Sequence, residues 1–202
     1  LAVRPDLVFL ASFSDKRLDR LLSNDHRQVV RLHNLNSVEG VRESIRAVGY
    51  IVGLDQPAEA LVVQMDARLN AVAESRASRK NWCVLSWADG FVTGRGTILD
   101  DVLGYVGARN LASEFGIEGV RRIQAERLLA TQPDALIIGT IQGKEAEARQ
   151  RVLRLAVMSN LRAVREQRIV CVPNHLLVST TQHVADLAER IARQLDEWGD
   201  KR

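Results

Sequence analysis

Residues 132–138 read Gln-Pro-Asp-Ala-Leu-Ile-Ile, and residues 4–10 read Arg-Pro-Asp-Leu-Val-Phe-Leu. Each is a Pro-Asp pair leading into a short aliphatic run, and the runs end on small residues, Gly139-Thr140 and Ala11-Ser12. Proline stops a preceding helix because it has no amide hydrogen to donate and it restricts the residue before it. Four to six branched aliphatic residues after such a stop read as a buried strand. The parallel continues downstream, where Gln28 to His33 (Gln-Val-Val-Arg-Leu-His) matches Arg168 to Pro173 (Arg-Ile-Val-Cys-Val-Pro). Strand, helix, strand is the grammar of a parallel sheet. Two copies at opposite ends of the chain predict two Rossmann-like α/β lobes; the alternative is a chance match between two ordinary strand starts.

Working outward, Pro133 is preceded by a predicted helix, Ile123 to Thr131, and by a predicted strand, Trp82 to Trp87. Pro5 is preceded by only four residues, of which Leu1 to Val3 read as the last turn of a helix, so the first lobe is expected to be incomplete. Between the copies, Val38, Val41, Ile45 and Val48 repeat at helical spacing. Asp55-Gln56-Pro57 then offers a helix start, followed by Leu61, Met65, Leu69 and Val72 on one stripe. A linking helix at 55–79, whose stretch from Ala58 to Arg79 alone would be roughly 30 Å long, is enough to join a first lobe at 1–54 to a second at 80–202; the alternative is an ordinary surface helix. In the second lobe, Gly94-Arg95-Gly96-Thr97 reads as a turn after the 82–87 strand, with Thr97 capping a helix Ile98–Val106. Helices Glu145–Leu161 and Thr181–Trp198 and a strand Ile169–Val172 complete the prediction.

Composition excludes several classes. Of 202 residues, 46% are hydrophobic and 26% charged, an ordinary globular balance that argues against disorder. No run approaches the roughly 18 apolar residues that span a bilayer. Leu1 to Leu10 has neither the basic start nor the small-residue cleavage site of a signal peptide, which bears on that stretch alone. The net charge of +3 comes from arginines scattered among acids, not from a basic patch with a recognition motif, so a nucleic-acid partner is not expected. Cys83 and Cys171 sit in apolar runs and read first as buried free thiols, with a disulfide or a metal pair as alternatives. No Gly-x-Ser-x-Gly, His-Glu-x-x-His or Cys-x-x-Cys occurs, and Asp100-Asp101 and Glu145/Glu147 read as helix-start or surface acids.

The order of features carries a resemblance. Pro-Asp-strand, long helix, aromatic-bearing strand and Gly94-x-Gly96-Thr97 are followed by Gly107-Ala-Arg-Asn-Leu-Ala112, Glu126-x-Leu128 and the second Pro-Asp-strand. The series ends on Ala163-Val-Arg-Glu-Gln-Arg-Ile-Val-Cys-Val-Pro173. This resembles the periplasmic substrate-binding proteins of the helical-backbone type, which serve ABC importers of ferric siderophores, haem and cobalamin. The resemblance covers the whole chain and implies two lobes across a cleft, an iron- or cobalt-containing cargo, a periplasmic or other extracytoplasmic location, a permease partner and no catalysis. A Rossmann-like oxidoreductase or chelatase-type enzyme and a binding protein for bare zinc or manganese remain as alternatives.

In open α/β sheets ligands sit beyond the carboxyl ends of the strands. That rule selects residues 12–14 and 33–34 in the first lobe, and 87–95, 140–143 and 174–176 in the second. Trp87 and Phe91 are expected ligand contacts, because a macrocycle or catecholate offers flat faces to aromatic rings. Arg95 beside a helix start suits an anionic group. Phe13, His33 and His175 are further cleft candidates, the two histidines at equivalent points of the repeat; His26 and His183 read as a loop residue and a helix start. The resemblance also implies an exposed docking acid on each lobe, Glu145 or Glu147 in the second and Asp15 or Asp19 in the first.

Overall fold

The computed structural model describes residues 5–23, 27–75 and 81–199. The Leu1–Val3 turn, His26 and the last four positions of the 55–79 helix lie outside the described residues. The first Pro-Asp pair leads into β1 (Leu7–Ala11), followed by α1 (Arg17–Ser23) and β2 (Gln28–Leu32). The strands pair in parallel, from Leu7 opposite Gln28 to Ala11 opposite Leu32. Next come α2 (Val38–Val52) and α3 (Asp55–Ser75), joined through Gly53. Gly53 closes α2 at φ 72°, its amide donating to the carbonyls of Gly49 and Tyr50, a left-handed cap that glycine adopts without a Cβ clash.

The second unit holds β3 (Cys83–Ala88), β4 (Phe91–Thr93), α4 (Ile98–Val106), β5 (Arg109–Asn110) and α5 (Leu111–Glu114). It continues with β6 (Val120–Arg122), α6 (Ala125–Thr131), β7 (Ala135–Thr140) and α7 (Glu145–Leu153). It ends with α8 (Arg162–Arg165), β8 (Ile169–Pro173), α9 (Asn174–Leu177) and α10 (Val184–Gly199). The sheet runs β6-β4-β3-β7-β8, with β5 against the start of β3. Strands β3, β7 and β8 are parallel, and β4 and β6 form an antiparallel edge. Strands β1 and β7, which carry the repeated Pro-Asp signature, lie in different sheets.

Strand alternation divides the core. Val84, Ala135, Ile137, Val170 and Val172 point to one face of the second sheet, against α3, α4 and α10. Leu85, Leu136, Ile138, Ile169 and Cys171 point to the other, with Leu128, Val152, Met158 and Leu161. Helix α3 is a full member of the first of these cores through Met65, Leu69 and Val72, and α2 joins it through Val38 and Val41. Arg68 of α3 adds a charged clamp to α10, donating to Glu189 at 2.8 and 2.7 Å and to Asp186 at 2.5 Å. Burial pushes the Asp186 carboxyl up, but hydrogen bonds from Arg68 and His183 outweigh it and hold the group below its ordinary range. Its contribution to stability is therefore present above the ordinary carboxylate pKa and is lost as pH falls through the depressed value. By contrast, no described residue before Leu35 is fully buried, so β1, α1 and β2 have no closed core of their own.

The largest departures from the sequence reading fall at three places. Helix α7 stops at Leu153 instead of running to Leu161. Its buried stripe, Ala148 and Val152, would continue onto polar Ser159, whereas a turn lets Met158 and Leu161 both reach the core at 0% exposure. The stretch 87–95 is not one loop, because Asp89 (φ 46°) and Gly90 (φ 91°) form a two-residue turn into β4. Asp-Gly is a favoured pair for such hairpins, since both positions need positive φ. Helix α10 starts at Val184, three residues later than Thr181.

Leu69→Ala removes a side chain with 0% exposure from the α3 seam. It is expected to cost about 2–5 kcal/mol in urea denaturation, while Val63→Ala, on the exposed face of the same helix, changes stability by less than about 0.5 kcal/mol. Equal effects of the two would contradict the packing described for α3.

Candidate ligand cleft between the two sheets

The carboxyl ends of β1, β2, β3 and β7 converge on a cleft of about 450 Å³, within the roughly 300–1,000 Å³ range of small-molecule sites. One wall is Phe13, from the loop after β1, with Leu35 and Asn36, from the loop after β2. The opposite wall is Ser86, Trp87 and Ala88 at the end of β3, Gly139 at the end of β7, and Asn174 with residues 177–180 after β8. Thr93, Val120 and the start of α4 at Thr97 close one side. Apolar side chains dominate the lining, with hydroxyls and amides between them and no charged side chain among its described residues. Such a surface suits a bulky, largely apolar ligand held by a few directional hydrogen bonds.

Local chemistry shapes both walls. Arg31 on β2 organises the Phe13 loop: its guanidinium donates to the carbonyls of Ala11 (2.8 Å), Ser12 (3.2 Å) and Ser14 (3.1 Å). The other end of the fork binds both carboxylate oxygens of Asp19 at 2.7 and 2.8 Å. This geometry needs a planar five-donor group, which lysine lacks. The loop held in this way leaves the Phe13 ring 76% exposed, facing the cleft. On the opposite wall, a Cβ built on Gly139 would lie 2.2 Å from Asn174 Oδ1, so the glycine leaves the space that the Asn174 amide occupies. Gly94 is similarly pressed against the Ile117 carbonyl, at 2.0 Å from an added Cβ. That close approach admits the bridge in which the Arg95 amide donates to Ile117 and its carbonyl accepts from Gly119.

Of the six ligand-contact candidates, Phe13 and Trp87 line the cleft. Trp87 is 8% exposed: its ring packs in the core with Leu85, Val92 and Leu128, and the residue borders both this cleft and a separate hollow lined by Ile123, Leu128 and Val157. Phe91, opposite Ala88 across the hairpin, is 45% exposed but lies outside the lining, as do Arg95, His33 and His175. The hairpin turn carries Phe91 back along the sheet, and His175 sits on an exposed side of the short α9, whose Asn174 and Leu177 face the cleft instead. The sequence reading missed Leu35, Asn36, Val120 and residues 177–180. The strand-end rule reaches the first two and the last four if extended a few residues, but nothing marked Val120. Among the described residues, no three His, Cys, Asp or Glu side chains come together as a metal site requires. His183 instead pairs its Nδ1 with Asp186 at 2.6 Å. Cys83 and Cys171 are free, and burial pushes both thiols up, away from the reactive thiolate. Glu145 is half-buried with Arg190 at 3.6 Å, whereas the Glu147 side chain is 73% exposed.

A second hollow, of about 390 Å³, lies between β2, α2 and the start of α3, lined mainly by Ile45, Val48, Val52, Leu54 and Leu61. Its polar lining is Ser44 and residues 180–182, and it is not at the strand ends of the second sheet.

These are the features of a two-walled α/β binding protein. The family profile described as periplasmic binding protein matches residues 1–176, and the chain belongs to that family. No curated protein sequence matches it. Among solved structures it is similar to a periplasmic haem-binding protein from Pseudomonas aeruginosa, with 25% identity and a TM-score of 0.83, covering 99% of this chain and 74% of that one. It is also similar to the periplasmic haem-binding protein RhuT from Roseiflexus sp. RS-1, with 22% identity and a TM-score of 0.80, over 96% and 78% of the two chains. An ABC-type Fe3+-hydroxamate transport protein from Saccharomonospora viridis DSM 43017 matches at 21% identity and a TM-score of 0.80, over 96% and 69%. The family and these neighbours are substrate-binding proteins. Among the described residues no helix is long and apolar enough to cross a membrane.

Arg31→Lys is expected to loosen the Phe13 loop without unfolding the protein. Hydrogen exchange should speed up at the Ser14 amide, which donates to Ala11 at 2.9 Å, while amides of β3 and β7 keep their protection. Unchanged exchange at Ser14 would remove Arg31 from its organising role.

Proposed function

We propose that this protein is an extracytoplasmic solute-binding protein that captures a metal chelate, a ferric siderophore, haem or a cobalamin-type corrinoid, and delivers it to an ABC importer without altering it. The observation that carries the reading is the cleft itself: strand ends from two sheets face one another across an apolar cavity with scattered hydroxyls and amides. The exposed ring of Phe13 supplies a flat apolar contact from one wall, and Leu177 with Val178 supplies an apolar surface on the other. A chelate whose metal is already saturated by its own ligands needs surface complementarity and a few hydrogen bonds, not donor side chains from the protein. Haem- and hydroxamate-related names among the structural neighbours support the same class of cargo.

Delivery requires an exposed acid on each unit to meet a permease. Glu147, in the first turn of α7, has the accessibility for this, and Glu145 is its half-buried neighbour. In the first unit Asp19 is occupied by Arg31, which leaves Asp15 as the freer carboxylate. Charge reversal at both Glu145 and Glu147 is expected to abolish uptake in cells while leaving affinity in solution intact; normal uptake by the double variant would remove α7 from the docking surface.

The direct test is a panel titration of the purified protein with haemin, a ferric hydroxamate, a ferric catecholate and cyanocobalamin, read by tryptophan quenching. One ligand is expected to saturate at one-to-one stoichiometry and to be recovered unchanged. Phe13→Ala should then weaken that ligand by about 1–3 kcal/mol, the range for stacking on an aromatic ring. Saturation by none of the four, or conversion of the bound ligand, would contradict the proposal.

A further inference from the structure

We propose that Asp101 is a positioning residue for ligand capture, setting the separation of the two cleft walls by accepting a hydrogen bond across from α4 to the first turn of α2. The proposal rests on the solute-binding reading for its consequence, but on geometry alone for the tie itself.

The two adjacent acids Asp100 and Asp101 divide their work. Asp100 stays within the second unit: its Oδ1 accepts from Asn110 Nδ2 at 2.8 Å and from Ser113 Oγ at 2.5 Å, holding the β5–α5 corner. Asp101 reaches outward, and its Oδ2 accepts the Val38 amide at 2.9 Å. The first turn of a helix has amides with no partner inside the helix. Here Ser37 Oγ serves the Gly40 amide at 3.0 Å, and a carboxylate 63 positions away in sequence serves Val38. A second tie lies beside it, where Asn36 Nδ2 donates to the Gly96 carbonyl at 3.2 Å.

These ties sit where the two walls meet. Leu35, Asn36, Thr97 and Ile98 all line the cleft. The unit made of β1, α1 and β2 contains no fully buried described side chain, so its own packing does little to orient it. It is carried through residues 33–37, a segment packed closely against the start of α2. Asn34 is held at φ 57°, and Gly40 lies so close that an added Cβ would stand 1.6 Å from the Asn34 carbonyl oxygen. Beyond this segment, α2 is seated on the second unit by Val38 and Val41 and by Arg42, which donates to Tyr105 at 2.9 Å and to Asp66 at 2.8 Å. Within the segment Asn34 donates to Glu43 of α2 at 3.3 Å, whereas Asp101 is a charged contact that joins the start of α2 to α4. It fixes the first residue of α2 directly to the helix whose N-terminal turn lines the cleft. A fixed wall separation is preorganisation: the ligand meets a cleft already at its width and does not have to order it.

The test is a distance measurement by double electron–electron resonance between spin labels at Leu21→Cys on α1 and Gln150→Cys on α7. Both are exposed positions outside the cleft, in a Cys83→Ala background with the buried Cys171 left in place. The parent is expected to give one narrow distribution. Asp101→Ala should shift its mean or broaden it beyond the parent width, and Asp101→Asn, whose amide oxygen still accepts, should restore it. Restoration by Asn distinguishes the tie from a general loss of stability. A distribution in folded Asp101→Ala that superimposes on the parent overturns the proposal. If Asp101→Ala does not fold, Asn36→Ala carries the test: it severs the second tie at an exposed position and should broaden the same distribution, and an unchanged one overturns the proposal. In parallel, haemin is titrated against the same three proteins. Where the parent binds haemin, Asp101→Ala should bind it about tenfold or more weakly, the scale of a lost hydrogen bond to a charged group. A parent that does not bind haemin counts against the haem form of the function, and the distance readout still decides the role of Asp101.

Discussion

The structure depends on the burial of one face of α3. Met65, Leu69 and Val72 enter the same core as the second sheet and its helices α4 and α10. Arg68 reinforces this from the helix flank through Asp186 and Glu189. A helix that merely linked two lobes would be free to bend or swing. Buried in this way, α3 is a beam fused to one of them. Through α2, which packs on it, the beam extends to the point where the first sheet begins. Everything placed on the far side of the cleft, Phe13 included, is positioned by that chain of contacts and by the short segment after β2.

The cleft follows from strand polarity. Parallel strands bring their carboxyl ends to one edge, and the loops that leave those ends need not continue the hydrophobic pattern of the strands. Here those loops supply Phe13, Asn36, Asn174 and Val178, while glycine at position 139 keeps the backbone of the second wall open to Asn174. The antiparallel β4–β6 pair at the edge of the second sheet adds Thr93 and Val120 to the cavity.

Much of this was legible in the sequence because strand starts and amphipathic stripes are local properties. The Pro-Asp signatures marked β1 and β7, Thr97 marked the cap of α4, and the spacing of Met65, Leu69 and Val72 marked the buried face of α3. Failures occurred where a tertiary demand overrode the local one. Helix α7 gives way to a turn because Met158 and Leu161 must reach the core from off its stripe. Phe91 left the predicted site because Asp89-Gly90 reverses the chain, a signal present in the sequence and not weighed against the longer glycine turn. The sequence leaves Trp87 open between ligand contact and core, and the fold gives it both neighbourhoods: its ring packs beside Leu85 and Val92 while the residue borders the cleft. The roles of Arg31 and Asp101 could not be read from sequence, since each joins groups brought together only by the fold.

The central claim, that the cleft holds a small metal chelate, is tested most directly by native mass spectrometry of the protein isolated from its own cells without denaturation. The account predicts a one-to-one adduct containing iron or cobalt, lost on acidification and identifiable as an intact chelate. A bound nicotinamide or flavin nucleotide, or a bare zinc or manganese ion in place of a chelate, would contradict it.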